Sequence, residues 1–77
     1  MKDFVSKLVT QIVDNPQDVT VNEVEDSSGK LLQLSVAPAD MGKTIGKSGR
    51  IIKALRDLVR VRAIKSGEKV SLQLLEG

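Results

Sequence analysis

The apolar residues of this 77-residue chain change their spacing three times. They recur every three to four residues in segment 2–14, every second residue in the two stretches of segment 18–36, every three to four residues in segment 50–65, and every second residue in segment 70–74. The wider spacing is typical of amphipathic helices and the alternating one of half-buried strands. A chain of this length has room for one domain, residues 1–77.

Turns and helix breakers divide these segments into elements. Gly29 belongs to a short turn that should join two strands as an antiparallel hairpin. Pro16 should end the first helix and Pro38 the second strand, because proline disfavours helical geometry in the preceding residue and cannot donate to a strand ladder. A short helix with Asp40 as a candidate cap then precedes the long helix, which Gly67 is expected to close.

The resulting order of elements is α-β-β-α-α-β. Each strand has one apolar face, so three helices can cover one face of a three-stranded sheet, which predicts a two-layer α+β domain. Two helices connect the second strand to the third, so these strands are parallel if they are neighbours, and the sheet is then mixed. In the first strand Val24 falls out of phase with Val19 and Val21, and we expect a bulge or strong twist near Asn22–Glu23.

The net charge of +2 conceals a strong asymmetry along the chain. Residues 1–42 carry a net charge of −4, whereas residues 43–77 carry +6, and eight cations accompany a single acid between Lys43 and Lys65. A basic field of this kind indicates a polyanionic partner. A solvated basic helix face would explain the charge equally well.

The composition excludes several classes of protein. Cysteine and histidine are both absent, which removes disulfides, thiolate metal sites and the commonest general base. Enzymes and metal sites that depend on cysteine or histidine are therefore excluded. The N-terminal residues lack the apolar core and cleavage site of a signal peptide, and no run approaches the roughly 20 apolar residues that span a bilayer. A soluble cytoplasmic protein is the expectation.

Segment 42–50, GKTIGKSGR, combines three glycines with three cations, which indicates phosphate binding. A nucleotide-binding P-loop, G-x-x-x-x-G-K-[ST], agrees at Gly46-Lys47-Ser48 but requires glycine where the chain has Met41. A P-loop also follows a strand directly and is accompanied by an acidic magnesium ligand after a later strand, and the predicted pattern provides neither. A nucleotide-binding enzyme is therefore disfavoured.

A second interpretation is a helix–GxxG–helix hinge formed by residues 46–49. Two glycines let the backbone turn tightly and approach a ligand, and the following helix offers free N–H groups to a phosphate. Lys47 and Ser48 add a charge and a hydroxyl, and Arg50 and Lys53 extend the cationic surface. An ordinary helix–turn–helix connector is the alternative. The combination of Ile45 before the GxxG, Ile52 after it, the strand–helix–helix–strand setting and the charge disfavours that alternative.

These residues resemble a known family. IGKSGRII matches the [VI]-I-G-x-x-G-x-x-I signature of the KH (K-homology) RNA-binding domain, with Thr44 where a second aliphatic residue often stands. The whole chain is similar to small bacterial single-domain KH proteins of the KhpA type, as seen in NPQDVTVNEVE, VAPADMGKTIGKSGRIIKALR and GEKVSLQLLE. The resemblance implies a type II KH fold and a cytoplasmic, non-enzymatic protein that binds single-stranded RNA, as an RNA chaperone or post-transcriptional regulator. It implies no catalytic residue, metal site, cofactor or small-molecule substrate.

The resemblance also assigns site residues. In KH domains the GxxG loop clamps the backbone of about four nucleotides and the bases lie in an adjacent groove. The far wall of that groove is expected from strand 30–37, and Phe4 is the only aromatic residue, so base recognition should be weak. The implied RNA-binding residues are Ile45, Gly46, Lys47, Ser48, Gly49, Arg50, Ile52 and Lys53, with the two isoleucines forming the floor.

The long helix has more apolar residues than one core-facing stripe requires. Its predicted core stripe is Ile51, Ile52, Leu55, Leu58 and Val59, and its predicted opposite face is Lys53, Arg56 and Arg60. Val61 and Ile64 belong to neither group, and exposed apolar residues indicate a partner. Alternatively, the helix bends or ends before Ile64, which then packs under the sheet.

The resemblance implies a homodimer, or pairing with a larger KH protein of the KhpB (Jag) type, through this helix. The hypothesised interface is Ala54, Asp57, Val61 and Ile64. Two functions thus remain open, an RNA-binding module and an adaptor whose main role is dimerisation, with RNA contact secondary.

Overall fold

Three helices and three strands follow one another in the predicted order. The computed structural model describes residues 1–75, and residues 76–77 of the predicted domain lie outside the described part. The elements are α1 (Lys2–Thr10), β1 (Thr20–Asp26), β2 (Gly29–Ser35), α2 (Met41–Ile45), α3 (Arg50–Ser66) and β3 (Val70–Leu74). Short 3₁₀ turns lie at Pro16–Asp18, Pro38–Asp40 and Lys47–Gly49.

The sheet has the order β1-β2-β3 and is mixed, as predicted. β1 and β2 form an antiparallel hairpin, whereas β2 and β3 are parallel, with Lys30 opposite Val70 and Leu34 opposite Leu74. β2 is therefore the central strand. Gly29 has a φ of +132°, and a Cβ atom there would lie 2.6 Å from the Lys69 carbonyl oxygen, so only glycine fits where the hairpin meets the start of β3.

The prediction of a bulge in β1 is wrong. The register runs without interruption from Thr20 opposite Ser35 to Asp26 opposite Gly29. Val24 keeps its place in the pleat and lies 44 % exposed. β1 is an edge strand with one neighbour, so an apolar side chain can remain at the surface without a break in the ladder.

The core lies between the helices and one face of the sheet. α3 contributes a buried stripe, and Ile51 and Leu58 do not belong to it, contrary to the sequence-based prediction, because they are 36 % and 46 % exposed. The face of a sheet contacts only a strip of the helix surface, and residues at the edges of a helical stripe fall outside that strip. The core residues are Val5, Val9, Val13, Leu32, Leu34, Val36, Ile52, Leu55, Val59 and Leu72.

Both ends of α3 agree with the prediction. The helix begins at Arg50 and ends at Ser66, and Gly67 closes it in the left-handed conformation with a φ of +74°. The alternative in which the helix bends or ends before Ile64 is excluded, because the helix continues past this residue and Ile64 is 71 % exposed.

The end of α1 and the role of Asp40 both differ from expectation. α1 ends at Thr10, before the predicted stop, although a turn continues to Val13 and keeps it in the core. Asp40 makes no side-chain cap to α2. Its carboxylate instead accepts hydrogen bonds from the backbone N–H groups of Asp14 and Asn15, so it binds the chain that leaves α1. The role of Asp40 depends on a contact between segments far apart in sequence.

Candidate nucleic-acid interface

The hinge between α2 and α3 has a geometry that requires glycine at its first position. Gly46 has a φ of +78°. A Cβ atom on Gly46 would lie 2.9 Å from the backbone nitrogen of Ile51 and closer still to the Ile51 side chain. A larger residue there would push α2 away from α3. The chain therefore turns as tightly as the GxxG pattern predicts.

The two middle residues of the hinge project into solvent. Lys47 and Ser48 are both exposed. Ser48 has a left-handed backbone with a φ of 58°, and Gly49 follows with a φ of +73°. The left-handed region costs a residue with a side chain about 1–2 kcal/mol, and such local strain is commonest at ligand-binding sites. The turn thus presents a cation and a hydroxyl together.

The hinge lies at the positive end of the helix dipole of α3. No side chain caps the 17-residue helix at this end, and its first turn has no acidic residue. Free N–H groups at a helix N-terminus attract anions. Lys47, Arg50 and Lys53 add three cations within about two turns. This end of α3 can hold a phosphate group.

The apolar residues around the hinge serve the core as well. Ile52 is a core residue, and Ile45 is half-buried beside the core. Thr44, which replaces an aliphatic residue of the KH signature, is fully buried, and its hydroxyl donates to the Asp40 carbonyl oxygen at 2.9 Å. The substitution therefore leaves no polar group unsatisfied. Because Ile52 exposes so little surface, Ile45 is the better candidate for contact with a base.

A groove beside α3 lies along β3 and not along strand 30–37. Both edges of β2 are paired, so β3 provides the open strand edge next to α3. The Leu75 N–H donates to the Leu34 carbonyl oxygen, and the Lys69 carbonyl oxygen accepts the Lys30 N–H. Backbone groups of successive residues in a strand point to opposite sides, so the N–H and C=O of Leu72 point away from β2, towards the open edge of the sheet. The groove has a volume of about 260 Å³ and is lined by Arg56, Arg60, Val70, Ser71 and Leu72.

We use the term basic flank for Lys53, Arg56 and Arg60, three exposed cations of α3, of which Arg56 and Arg60 line the groove beside β3. The guanidinium Nε of Arg56 donates to the Leu72 carbonyl oxygen at 3.3 Å. The sequence placed these residues opposite the core stripe, whereas the structure places Arg56 and Arg60 at the edge of the sheet. Arg56 and Arg60 are thus candidate binding residues that the sequence-based assignment left out, although their spacing from Lys53 already put them on one side of the helix.

We use the term apolar flank for Ile51, Leu58, Val61 and Ile64, the large apolar residues that α3 exposes to solvent. Val61 is 64 % exposed, and Ala54, which lies between Ile51 and Leu58 in sequence, is exposed as well. Asp57, the remaining residue of the hypothesised interface, forms an ion pair with Arg60 at 2.6 Å and so lies beside the basic flank. The structure brings together the apolar members of the predicted interface and adds Ile51 and Leu58 to them.

Other potential ligand-binding features are limited. The guanidinium of Arg62 lies 4.5 Å from the centre of the Phe4 ring, so the single aromatic ring is covered. Residues 1–75 contain no group of three or more acidic, histidine or cysteine side chains that could hold a metal ion. No helix in this part of the chain is long and apolar enough to cross a membrane.

The α-β-β-α-α-β order, the mixed sheet and the GxxG hinge between α2 and α3 together define a type II KH domain. The family model described as KhpA/KhpB, KH domain, matches residues 2–74. The chain therefore belongs to the KhpA/KhpB family of KH domains, and the family resemblance seen in the sequence is confirmed.

Curated relatives match over nearly their full length. The chain is 47 % identical to the RNA-binding protein KhpA of Clostridium perfringens over 75 residues, which cover 97 % of this chain and all of that protein. It is 42 % identical to the RNA-binding protein KhpA of Chlamydia caviae over 76 residues, which cover 99 % of this chain and 97 % of that protein. These relatives are named as RNA-binding proteins, and the KH family to which they belong is non-enzymatic. No solved structure matches the chain with statistical significance.

Proposed function

We propose that this protein binds single-stranded RNA and holds its backbone at the GxxG loop, residues 46–49. The observation that carries the proposal is the exposed Lys47–Ser48 turn on the uncapped N-terminus of α3. A cation and a hydroxyl converge there on the positive end of the helix dipole, which suits a phosphate. The names of the curated relatives support RNA as the ligand.

The path of the RNA continues from the loop along the basic flank. Lys53, Arg56 and Arg60 are three and four residues apart, so they follow each other along the helix axis by about 4.5 and 6 Å. This row of cations can accompany a chain of phosphates, whereas a single triphosphate would use only the loop. The direction of the row supports a path for the RNA between α3 and the open edge of β3.

Base recognition along this path is expected to be weak. Phe4 is covered by Arg62, so stacking on an aromatic side chain, the usual source of affinity for single strands, is not provided. Ile45 and the outward backbone groups of β3 remain for contact with bases. Binding with low sequence preference suits an RNA chaperone or a post-transcriptional regulator, and we expect this role in the cytoplasm.

The test replaces Lys47 and Ser48 with aspartate and measures RNA affinity by fluorescence anisotropy. Lys47→Asp with Ser48→Asp should leave folding intact and reduce the affinity at least about tenfold, because two negative charges then face the phosphate. Affinity of the unmodified protein should also fall steeply with salt, since phosphate contacts release counterions.

A matched control makes the same replacements elsewhere. Ser6→Asp with Lys7→Asp puts equal charge on α1, away from the hinge, and should have a much smaller effect. RNA affinity that survives the hinge substitutions, or that does not depend on salt, would contradict the proposed clamp.

A second candidate function is that of a dimerisation adaptor, in which RNA contact is secondary. The apolar flank favours it, because contiguous exposed apolar side chains mark protein interfaces. The partner would be a second copy of this chain or a larger KH protein of the KhpB (Jag) type. Ile64→Tyr should convert a dimer to a monomer in sedimentation equilibrium, and an unchanged dimer would rule out this interface.

A further inference from the structure

We propose that Asp40 is a positioning residue for RNA binding, because its buried carboxylate fixes the short helix α2, and with it the hinge at Gly46, relative to the end of α1. This inference rests on the proposed function of the GxxG loop. It assigns a role in binding to a residue that lies outside the loop and that no phosphate would touch.

Both carboxylate oxygens of Asp40 accept hydrogen bonds. One oxygen accepts the backbone N–H of Asp14 at 3.1 Å, and the other accepts the backbone N–H and the side-chain Nδ2 of Asn15 at 3.0 and 3.1 Å. Asp40 is only 1 % exposed. Burial raises the pKa of Asp40, but these hydrogen bonds and the charge of Lys43 outweigh it and lower the pKa below its usual value. The carboxylate is therefore ionised at neutral pH and holds the chain just after α1.

The backbone of Asp40 binds two further segments. Its N–H donates to the Ala37 carbonyl oxygen at 2.8 Å, and its carbonyl oxygen accepts the hydroxyl of Thr44 at 2.9 Å. Asp40 thus joins the end of α1, the connection that follows β2, and α2 itself. α2 has only five residues, and so short a helix has little stability of its own. Its orientation must come from such contacts.

The position of α2 determines the position of the hinge. The last backbone hydrogen bond of α2 runs from the Gly46 N–H to the Gly42 carbonyl oxygen at 2.8 Å. Gly46 lies against Ile51 with no room for even one added carbon atom. A rotation of α2 would therefore change the backbone at Gly46, and Lys47 and Ser48 would move with it. We conclude that the clamp depends on the attachment of α2 to the end of α1.

The experiment replaces the carboxylate by a carboxamide of the same size. Asp40→Asn turns one acceptor into a donor that faces N–H groups. At a temperature where the variant is folded, RNA affinity should fall about fivefold to tenfold with a shallower salt dependence, because a phosphate contact is misplaced. The amide resonances of Gly46 and Gly49 in the RNA-free protein should shift at the same time.

Two further variants serve as controls. Asp14→Asn removes the exposed ion pair between Asp14 and Lys43, which joins the same two segments, but keeps the Asp14 N–H bond to Asp40. It should leave RNA affinity within about twofold, since exposed pairs contribute little. If Asp40→Asn does not fold, Asn15→Ala removes one of the three hydrogen bonds and should give a smaller loss of affinity with the same resonance shifts.

One result would show that Asp40 only stabilises the fold. In that case Asp40→Asn, or Asn15→Ala in its place, would lower the unfolding temperature but bind RNA with unchanged affinity and unchanged Gly46 and Gly49 resonances. This outcome is distinct from failure of the proposed function, which would appear as intact RNA binding in the Lys47→Asp, Ser48→Asp variant.

Discussion

The two exposed sides of α3 differ in what they offer to a partner. The basic flank adjoins the edge of the sheet, where Arg56 contacts Leu72. Arg60 contacts Asp57, which lies on α3 itself. The apolar flank projects Val61 and Ile64 into solvent. One helix thus presents charge towards the edge of the sheet and apolar surface towards solvent, and the two flanks adjoin where Arg60 and Ile64 lie four residues apart.

The comparison shows how a small domain can keep two binding functions separate. The buried stripe of α3, with Leu55 and Val59, holds the helix on the sheet. The basic flank fits a polyanion, which the apolar flank cannot attract, and the apolar flank fits another protein surface. Each side can therefore be altered while the other is left unchanged, provided that the buried stripe is intact.

The largest effect should come from the buried stripe, which supports both flanks. Leu55→Ala should lower the free energy of unfolding by about 2–4 kcal/mol, which lowers the unfolding temperature by roughly 10–25 °C in a domain of this size. Leu58→Ala makes the same change at an exposed position and should cost less than about 1 kcal/mol. Urea denaturation of both variants measures the difference, and equal losses would show that the helix packs differently.

The next largest effect should come from substitutions confined to the basic flank. Arg56→Glu with Arg60→Glu should reduce RNA affinity by about 10- to 100-fold and reduce the salt dependence, because two phosphate contacts are lost. The molecular mass in solution should not change. Lys2→Glu with Lys7→Glu, which changes the charge of α1 equally, is the control, and an equal loss there would attribute the effect to net charge instead of the groove.

A smaller effect should come from substitutions confined to the apolar flank. Leu58→Gln with Val61→Gln removes apolar surface without adding charge, so a dimer should dissociate at least about tenfold more readily. RNA affinity per chain should fall only by the factor that dimerisation had contributed, because a dimer can hold one RNA at two GxxG loops. Analytical ultracentrifugation and an RNA titration measure the two quantities. A full loss of RNA binding in this variant would mean that the two flanks act as one site.

The smallest effect should come from Gly42, and it tests which glycine before α3 belongs to the phosphate site. A Cβ atom on Gly42 would meet nothing within 4 Å, and alanine is favoured over glycine in a helix by about 0.5–1 kcal/mol. Gly42→Ala should therefore raise the unfolding temperature slightly and leave RNA affinity unchanged, whereas Gly46→Ala should impair both. A loss of binding on Gly42→Ala would return Gly42 to the phosphate site.

Local patterns predicted much of the fold. The end of α3 followed from Gly67, the hairpin from the turn at Gly29, and the position of the hinge from the GxxG spacing, since each depends on backbone conformations that neighbouring residues set. The same reasoning was wrong for the bulge in β1, because Val24 can stay exposed on an edge strand. It was also wrong for Ile51 and Leu58, since a helical wheel does not show how wide a strip the sheet covers.

The sequence also predicts a candidate site, which stays a prediction. The sequence identified residues 46–49 and their charged neighbours, and these remain the predicted RNA contacts. The role of Asp40 could not be read in the same way, because its partners lie 25 and 26 residues away along the chain. The groove along β3 was missed for a related reason, since strand order decides which edge is open.

The sequence by itself determined the order of elements, the tight hinge and the family. These properties follow from residue type and short-range spacing, which act through the backbone within a few residues. The tertiary structure alone decided that β3 and not β2 lies open beside α3, that Arg56 and Arg60 lie at the edge of the sheet, and that Asp40 holds α2 against the end of α1. Each of these depends on which distant segments come into contact, and burial and hydrogen bonding across such contacts are set only when the whole chain packs.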